Sequence, residues 1–199
     1  MPTEQAVPEP QIDPELERLF RESLRDIPDF PIPGIVFKDI APVLARPRAL
    51  SRCAQALASA TRGFEPDTLL AVDARGFLIG GALADRTDCG LVMVRKPGKL
   101  PGAVVSFEYA NEYGSGRLEI TRGVIAPGSR CLFVDDLLAT GGTARATADC
   151  VKALGASIVG YAFLLEICFL NGRSHLQDAP VVSLMTAKRS GCVCAAASA

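Results

Sequence analysis

The chain is poor in histidine and carries almost no excess charge: one histidine occurs in 199 residues, and the formal net charge is −1. A single histidine argues against a metal centre, and the near balance of charges argues against a basic nucleic-acid surface. No apolar run approaches the ~20 residues that a membrane-crossing helix needs. The acidic, proline-containing stretch 1–13 also lacks the basic and apolar regions of a secretory signal. We therefore expect neither a nucleic acid nor a membrane as partner.

The cysteines are odd in number and scattered along the chain. The seven are Cys53, Cys89, Cys131, Cys150, Cys168, Cys192 and Cys194. Most stand in apolar stretches, which predicts reduced thiols in a cytoplasmic protein and not a disulfide framework. The pair Cys192 and Cys194 has no second pair at zinc-binding spacing, so a zinc site is not expected.

Short apolar runs alternate with segments of helical periodicity. The length and a hydrophobic fraction of 49% are enough for one domain with a complete core. Asp13-Pro14-Glu15 has the order of residues that opens a helix. We predict further helices over 48–61, 77–85 and 143–154, and strands over 68–72, 90–94, 117–120, 131–134, 157–165 and 181–184. This alternation indicates an α/β fold with a doubly wound, mostly parallel sheet, whose ligands lie at the carboxyl ends of the strands.

The pattern fails over 96–116, where glycine and proline recur and no period is sustained. A long irregular segment inside a compact domain is either a functional lid or a disordered insertion. Charged and aromatic residues stand at both of its ends, which favours the lid.

The strongest chemical signal is Val134-Asp135-Asp136-Leu137-Leu138-Ala139-Thr140-Gly141-Gly142-Thr143. An apolar strand leads into two adjacent acids, and a turn of small residues then leads into a helix. Two carboxylates can accept hydrogen bonds from the hydroxyls of a ribose diol. The small side chains leave the backbone N–H groups of 139–143 free to converge on a phosphate at the start of the helix. The lysine of a Walker A loop is missing.

Together with three other segments, this stretch resembles the adenine phosphoribosyltransferases, which are type I phosphoribosyltransferases. The other segments are Phe30-Pro31 with Pro33-Gly34-Ile35-Val36-Phe37-Lys38-Asp39-Ile40, then Asp73-Ala74-Arg75-Gly76-Phe77, and Arg95-Lys96-Pro97-Gly98-Lys99-Leu100-Pro101-Gly102 with Glu112-Tyr113-Gly114. The resemblance implies a tail and helix over 1–26, a phosphoribosyltransferase domain over 27–184 and a tail over 185–199. Within the domain it implies a purine-side hood over 27–45 and a flexible lid over 96–116.

The resemblance also implies an activity: transfer of the 5-phosphoribosyl group from phosphoribosyl pyrophosphate to adenine, giving AMP and pyrophosphate. Ala74, Arg75 and Gly76 would hold the pyrophosphate, with Arg75 catalytic, and Arg95 and Lys96 would lie close by. Lys99 fits a solvated charged surface equally well. Mg²⁺ would arrive with the substrate near Asp135 and Asp136, with no protein ligand assigned. A homodimer is implied as well.

On the purine side, the resemblance implies that Val36, Phe37 and Lys38 cover the base. Phe37 either stacks on the purine or belongs to the core. Lys38 stands where many relatives have arginine, and Ala74 where serine is common. Glu112, beside Tyr113, matches the glutamate that takes part in proton transfer, and Glu166 matches a family acid whose role could be structural.

The choice of base depends on the phosphate turn. Hypoxanthine and guanine enzymes usually carry an aspartate where this chain has Ala139, whose methyl group cannot bind a ring nitrogen, so adenine is favoured. Two alternatives stay open: a 6-oxopurine phosphoribosyltransferase, and a non-catalytic purine or nucleotide sensor on the same fold. Such sensors usually carry an added DNA-binding domain, for which the residues before position 27 are too few and too acidic.

Overall fold

The computed structural model describes residues 12–111, 114–188 and 192–196, which form a helix-covered sheet and a small separate hairpin. The helices are α1 (Pro14–Ser23), α2 (Ala41–Leu44), α3 (Ala49–Thr61), α4 (Arg75–Ala84) and α5 (Gly142–Ala153). The strands are β1 (Arg25–Pro28), β2 (Val36–Asp39), β3 (Thr68–Val72), β4 (Gly90–Arg95), β5 (Val104–Asn111), β6 (Gly114–Thr121), β7 (Arg130–Leu138), β8 (Ser157–Ile167), β9 (Val181–Ala187) and β10 (Val193–Ala195). Short 3-10 turns lie at Arg62–Phe64, Cys168–Leu170 and Gly172–His175.

The main sheet has eight strands in the order β10-β9-β8-β7-β3-β4-β6-β5. The five strands from β9 to β4 in this order run parallel, and antiparallel strands flank them at both edges. From β3 the chain moves to one side for β4 and later returns to the other side for β7. The order of the strands therefore reverses between β3 and β7, and in such sheets ligands bind outside the carboxyl ends at this point.

Helices cover both faces of the sheet, as the alternating pattern predicts. Leu69 and Leu132 face the layer formed by α1 to α4, while their neighbours Leu70 and Phe133 face α5. Successive side chains of a strand point to opposite faces, so each central strand contributes to two cores. The run 69–72 of β3 is apolar at every position because neither face of the sheet meets water there.

Local signals set several helix ends. The Asp13 carboxylate caps α1 by accepting a hydrogen bond from the Leu16 N–H at 2.8 Å. Gly155, at φ +78°, follows the end of α5 in the left-handed conformation that glycine adopts without strain. Among the described residues, no helix is both long enough and apolar enough to cross a membrane.

The structure corrects the expected extent of the irregular segment. Where this segment is described, only 96–103 is irregular, because β5 and β6 form an antiparallel hairpin that pairs Val104 with Thr121 and Asn111 with Gly114. Val105 and Phe107 lie opposite Ile120 and Leu118 and pack against the core on the α5 side. The glycines and prolines of this segment obscured the period-two pattern of β5 in the sequence.

Regular structure extends beyond both expected domain boundaries. The sheet does not stop at residue 184, because β9 continues to Ala187 and pairs with β10 at the sheet edge. The hood contains a two-stranded sheet that begins at Arg25, two residues before the expected boundary. The tail over 185–199 thus contributes an edge strand where it is described.

Candidate active site

The carboxyl ends of β3 and β7 lie side by side at the centre of the sheet. The ladder between the two strands ends with Ala71 opposite Val134. β7 continues beyond that point to Leu138, paired only with β8 on its other side. The two acids that follow Val134 therefore lie within β7, whereas the sequence pattern predicts them just after the end of a strand. The same end of β3 leads into Asp73, Ala74 and the first turn of α4.

Asp135 and Asp136 form a close acidic pair in this crevice. The Asp136 N–H donates to Asp135 Oδ1 at 2.8 Å, and the Arg75 Nε–H donates to Asp136 Oδ2. Asp136 is only 5% exposed, and the Arg75 guanidinium is the cation that pairs with it. Burial, together with the neighbouring Asp136 charge, raises the pKa of Asp135 well above its ordinary value. The arrangement presents two adjacent carboxyl groups to a ligand that approaches from the strand ends.

Gly76 brings the first turn of α4 against β7. A Cβ at this position would lie 2.9 Å from Asp135 Oδ1 and 3.1 Å from the Val134 carbonyl oxygen. Glycine is therefore required for packing against the strand that carries the acids. Ala74 is exposed at the N-cap of the same helix, and the Asp73–Ala74 peptide bond is cis.

The turn 139–143 leads from β7 into α5 and borders a cavity of about 110 Å³. Asp135 lines the same cavity, together with Ala139, Thr140, Gly141, Gly142 and Thr143. Gly141 has φ +80° and directly precedes the first turn of α5. The backbone N–H groups at the start of a helix, with its positive dipole end, suit a phosphate. The structure thus places the predicted phosphate turn and one of the predicted ribose-binding acids around one cavity.

This arrangement matches a known family. Residues 40–185 match the family model of the phosphoribosyl transferase domain. Adenine phosphoribosyltransferase 2 of Rhizobium etli is 62% identical over 165 residues, which are 83% of this chain and 90% of that protein. The adenine phosphoribosyltransferase of Sorangium cellulosum is 49% identical over 173 residues, covering 84% of this chain and 86% of the relative. The chain belongs to the adenine phosphoribosyltransferase family.

Solved structures of the family have the same fold. The adenine phosphoribosyltransferase of Thermoanaerobacter pseudethanolicus superposes with a TM-score of 0.81 at 46% identity, covering 86% of this chain and 99% of that one. The Saccharomyces cerevisiae enzyme, solved in complex with adenine and an imino-altritol bisphosphate, gives 0.76 at 37% identity, covering 85% and 98%. The mostly parallel sheet expected from the sequence is confirmed, as is the resemblance stated from its motifs.

The hood places an aromatic side chain beside Arg75. The Phe37 ring lies under the Arg75 guanidinium, 5.3 Å from centroid to Cζ, and meets Phe30 edge-on at 5.2 Å. Phe37 is partly exposed, so it is not a core phenylalanine. Val36 is 49% exposed beside it. The Phe37 ring is the apolar group next to Arg75, while the expected stacking on a purine stays a prediction.

Lys38 is held inside the hood hairpin. Its side chain is 4% exposed, and its Nζ lies 2.6 Å from Asp26 Oδ1 and 2.8 Å from Oδ2. Asp26 is its direct partner across β1 and β2. The ammonium group is thus occupied by this ion pair, which leaves the backbone of Lys38 as the part available to a base.

Arg95 approaches Asp73 at the start of the irregular segment. Its Nε lies 3.7 Å from Asp73 Oδ2 and is buried, with no hydrogen-bond partner among the described residues. Its Nη1 donates to the Lys99 carbonyl at 2.9 Å. Lys96 is exposed, and its backbone N–H donates a hydrogen bond to Asp73 Oδ2 at 3.4 Å. Lys99 is also exposed, so its side chain fits the solvated surface that was one of its two expected roles.

Two acids near this segment were not assigned a role from the sequence. Asp73 belongs to the segment 73–77, but the sequence does not reveal its contacts with Arg95 and Lys96. Glu119 is buried in β6 and accepts hydrogen bonds from the Gly98 N–H at 3.0 Å and the Ser106 hydroxyl at 3.3 Å. An acid between two apolar residues, Leu118 and Ile120, was the available signal for Glu119. Its contacts hold the irregular segment to the hairpin.

Glu112 and Tyr113, the predicted chemical end of the lid, lie outside the described residues. The remaining family acid, Glu166, is buried on β8. Its carboxylate accepts hydrogen bonds from Nε and Nη2 of Arg173, at 3.2 and 2.5 Å, and from the Ser183 hydroxyl at 3.0 Å. The Glu166 carboxylate is therefore occupied by contacts within the fold, with Arg173 and Ser183.

Proposed function

We propose that the protein transfers the 5-phosphoribosyl group from phosphoribosyl pyrophosphate to adenine, with AMP and pyrophosphate as products, in purine salvage. The observation that carries this proposal is the meeting of the acid pair, Arg75 and the phosphate turn at the strand ends where the sheet order reverses. The names of relatives that are 62% and 49% identical support the same activity.

The proposed binding mode assigns each phosphate to a different part of the crevice. The N–H groups of 139–143 bind the 5-phosphate, and Asp135 and Asp136 accept the hydroxyls of the ribose. Ala74, Arg75 and Gly76 lie on the other side, where Arg75 supplies positive charge to the departing pyrophosphate. The buried Nε of Arg95, which lacks a hydrogen-bond partner among the described residues, is a further donor for that side.

The base lies against the hood in this proposal. Phe37 offers its ring, and the backbone near Val36 and Lys38 reads the edge of adenine. Ala139 supports adenine over a 6-oxopurine because its methyl group offers no hydrogen bond to the ring. Glu112 exchanges the proton of the base, and closure of 96–116 excludes water that would hydrolyse the activated sugar.

Magnesium enters this proposal with the substrate. The described residues contain no group of three or more potential metal ligands. An ion that arrives with the substrate would be held mainly by phosphate oxygens and water. Asp135 and Asp136 are the carboxylates that would lie nearest, and they suit either the ion or the diol. When bound, Mg²⁺ neutralises charge on the diphosphate.

We also propose a homodimer that works in the cytoplasm. Leu78 on α4 is 53% exposed, and Leu91 and Met93 on the adjacent strand β4 are 40% and 47% exposed. An apolar patch of this kind suits a second copy of the chain. All seven cysteines are unpaired, which fits a reducing compartment. Light scattering on wild type and Met93→Lys tests the dimer, and a wild-type monomer would contradict it.

The test of the activity is a panel of adenine, hypoxanthine and guanine with phosphoribosyl pyrophosphate and Mg²⁺. We expect adenine to be converted far faster than either 6-oxopurine. Equal or faster turnover of a 6-oxopurine would refute the choice of base. The absence of any nucleotide product would refute the enzyme and favour a sensor.

A further inference from the structure

The outer side of the phosphate turn packs against the short 3-10 turn Gly172–His175. Gly172 is buried, and a Cβ there would lie 2.1 Å from the Ala139 carbonyl oxygen. Conversely, a Cβ at Gly141 would lie 2.7 Å from the Gly172 carbonyl oxygen. Two glycines thus allow the two backbone segments to touch, and a side chain at either position would force them apart.

The second contact is a hydrogen bond from the only histidine of the chain. His175 Nδ1 lies 2.8 Å from the Thr140 carbonyl oxygen. Because a carbonyl oxygen can only accept, Nδ1 is the nitrogen that carries the hydrogen. The Ala139 and Thr140 carbonyls therefore both face the turn Gly172–His175. In a trans peptide the N–H lies opposite the carbonyl, so the N–H groups of Thr140 and Gly141 face away from this turn.

The turn Gly172–His175 is itself fixed by a partly buried ion pair. Arg173 donates hydrogen bonds from Nε and Nη2 to the Glu166 carboxylate, and its Nη1 donates to the Val181 carbonyl at 2.8 Å. Glu166 is 7% exposed and also accepts the Ser183 hydroxyl. These contacts connect the turn to β8 and β9, which are rigid parts of the parallel sheet.

We propose that Arg173 and His175 are positioning residues for the phosphate turn. The Glu166–Arg173 pair holds the turn Gly172–His175, and this turn holds the carbonyls of 139 and 140 outward, so that the N–H groups of 140 and 141 are presented to the 5-phosphate. This inference rests on the proposed function for the identity of the phosphate. Its physical basis is that donors held in place before binding lose little freedom when the ligand arrives.

The test compares affinities for ribose 5-phosphate and for pyrophosphate with Mg²⁺, measured by calorimetry. His175→Gln places an amide N–H near the Nε2 position and leaves none near Nδ1, and affinity for ribose 5-phosphate should fall about fivefold, as for one lost hydrogen bond. His175→Asn places an amide N–H near Nδ1 and should restore the affinity to within about twofold of wild type. Arg173→Lys, which cannot reach all three acceptors, should behave like His175→Gln. Pyrophosphate affinity should be unchanged in every variant.

Because His175 is exposed, its variants are expected to fold, and Arg21→Lys in the exposed pair with Glu17 on α1 is a matched control. Unchanged affinity of His175→Gln and Arg173→Lys for ribose 5-phosphate would overturn the proposal. An equal loss for both ligands would also overturn it, because that result indicates general loosening. A wild type that binds ribose 5-phosphate but forms no AMP would refute the proposed function and leave this comparison valid.

Discussion

Replacing Gly76 by alanine tests whether the packing of α4 on β7 sets the geometry of the acid pair. In an unobstructed helix this change stabilises by about 0.4–1 kcal/mol. Here the new methyl group would lie 2.9 Å from Asp135 Oδ1 and 3.1 Å from the Val134 carbonyl, which belongs to the backbone of a central strand. Overpacking of this kind costs about 1–3 kcal/mol. The overpacking term is the larger one, and we expect a net loss of about 1–2 kcal/mol.

The measurements are the free energy of unfolding in urea and the kcat/KM for adenine. For a domain of this size the loss corresponds to a melting temperature lower by about 2–8 °C. The acids move with β7, and kcat/KM should fall at least about tenfold because small displacements of substrate-positioning groups are costly. Gly63→Ala is the control, since that glycine is exposed and a Cβ added there would have nothing within 4 Å. A Gly76→Ala protein as stable and active as wild type would refute the reasoning.

Three further changes test other parts of the site. The raised pKa of Asp135 means that its ionisation destabilises the fold, so stability falls as pH rises from the ordinary aspartate range through the raised value. Asp135→Asn should therefore be more stable than wild type in urea at neutral pH while losing activity; lower stability would contradict this. Asp26→Ala leaves the buried Lys38 ammonium without its partner and should lower the free energy of unfolding by about 1.5–3 kcal/mol. It should also raise the KM for adenine more than the KM for phosphoribosyl pyrophosphate, and equal changes in both KM values would count against this role of the hood. Glu112→Gln should slow single-turnover AMP formation by about 10²–10⁴-fold at unchanged stability, and a wild-type rate would remove Glu112 from the mechanism.

The parts predicted best from the sequence depend on neighbours along the chain. The stretch 134–143 specifies a strand, a turn and a helix within ten residues, and the structure contains all three. Asp13 at a helix start and Gly155 after a helix end are equally local signals. The choice of parallel sheet followed from the alternation of such units, which leaves few ways to cover both faces.

The parts that were missed depend on partners distant in sequence. β5 is stabilised by its pairing with β6 and by packing of Phe107 against the core on the α5 side. Neither interaction can be predicted from a segment rich in glycine and proline. The pairing of Lys38 with Asp26 requires the hood hairpin, which has no turn signal of the common two-residue type. The contact of Gly172 with Ala139 joins residues that only the fold brings together.

The central position of β3 and β7 has a consequence for how the molecule opens. Each of these strands is hydrogen-bonded on both sides and has at least three further strands of the sheet on either side of it. Amide hydrogens in such strands exchange with solvent only when the whole domain unfolds, whereas a two-stranded hairpin opens locally at lower free energy. Hydrogen exchange should therefore divide the site in two. The amide of Val134, next to the acid pair, should exchange slowly and the amides of β1 and β2 fast, so the hood hairpin can open without disturbing β7.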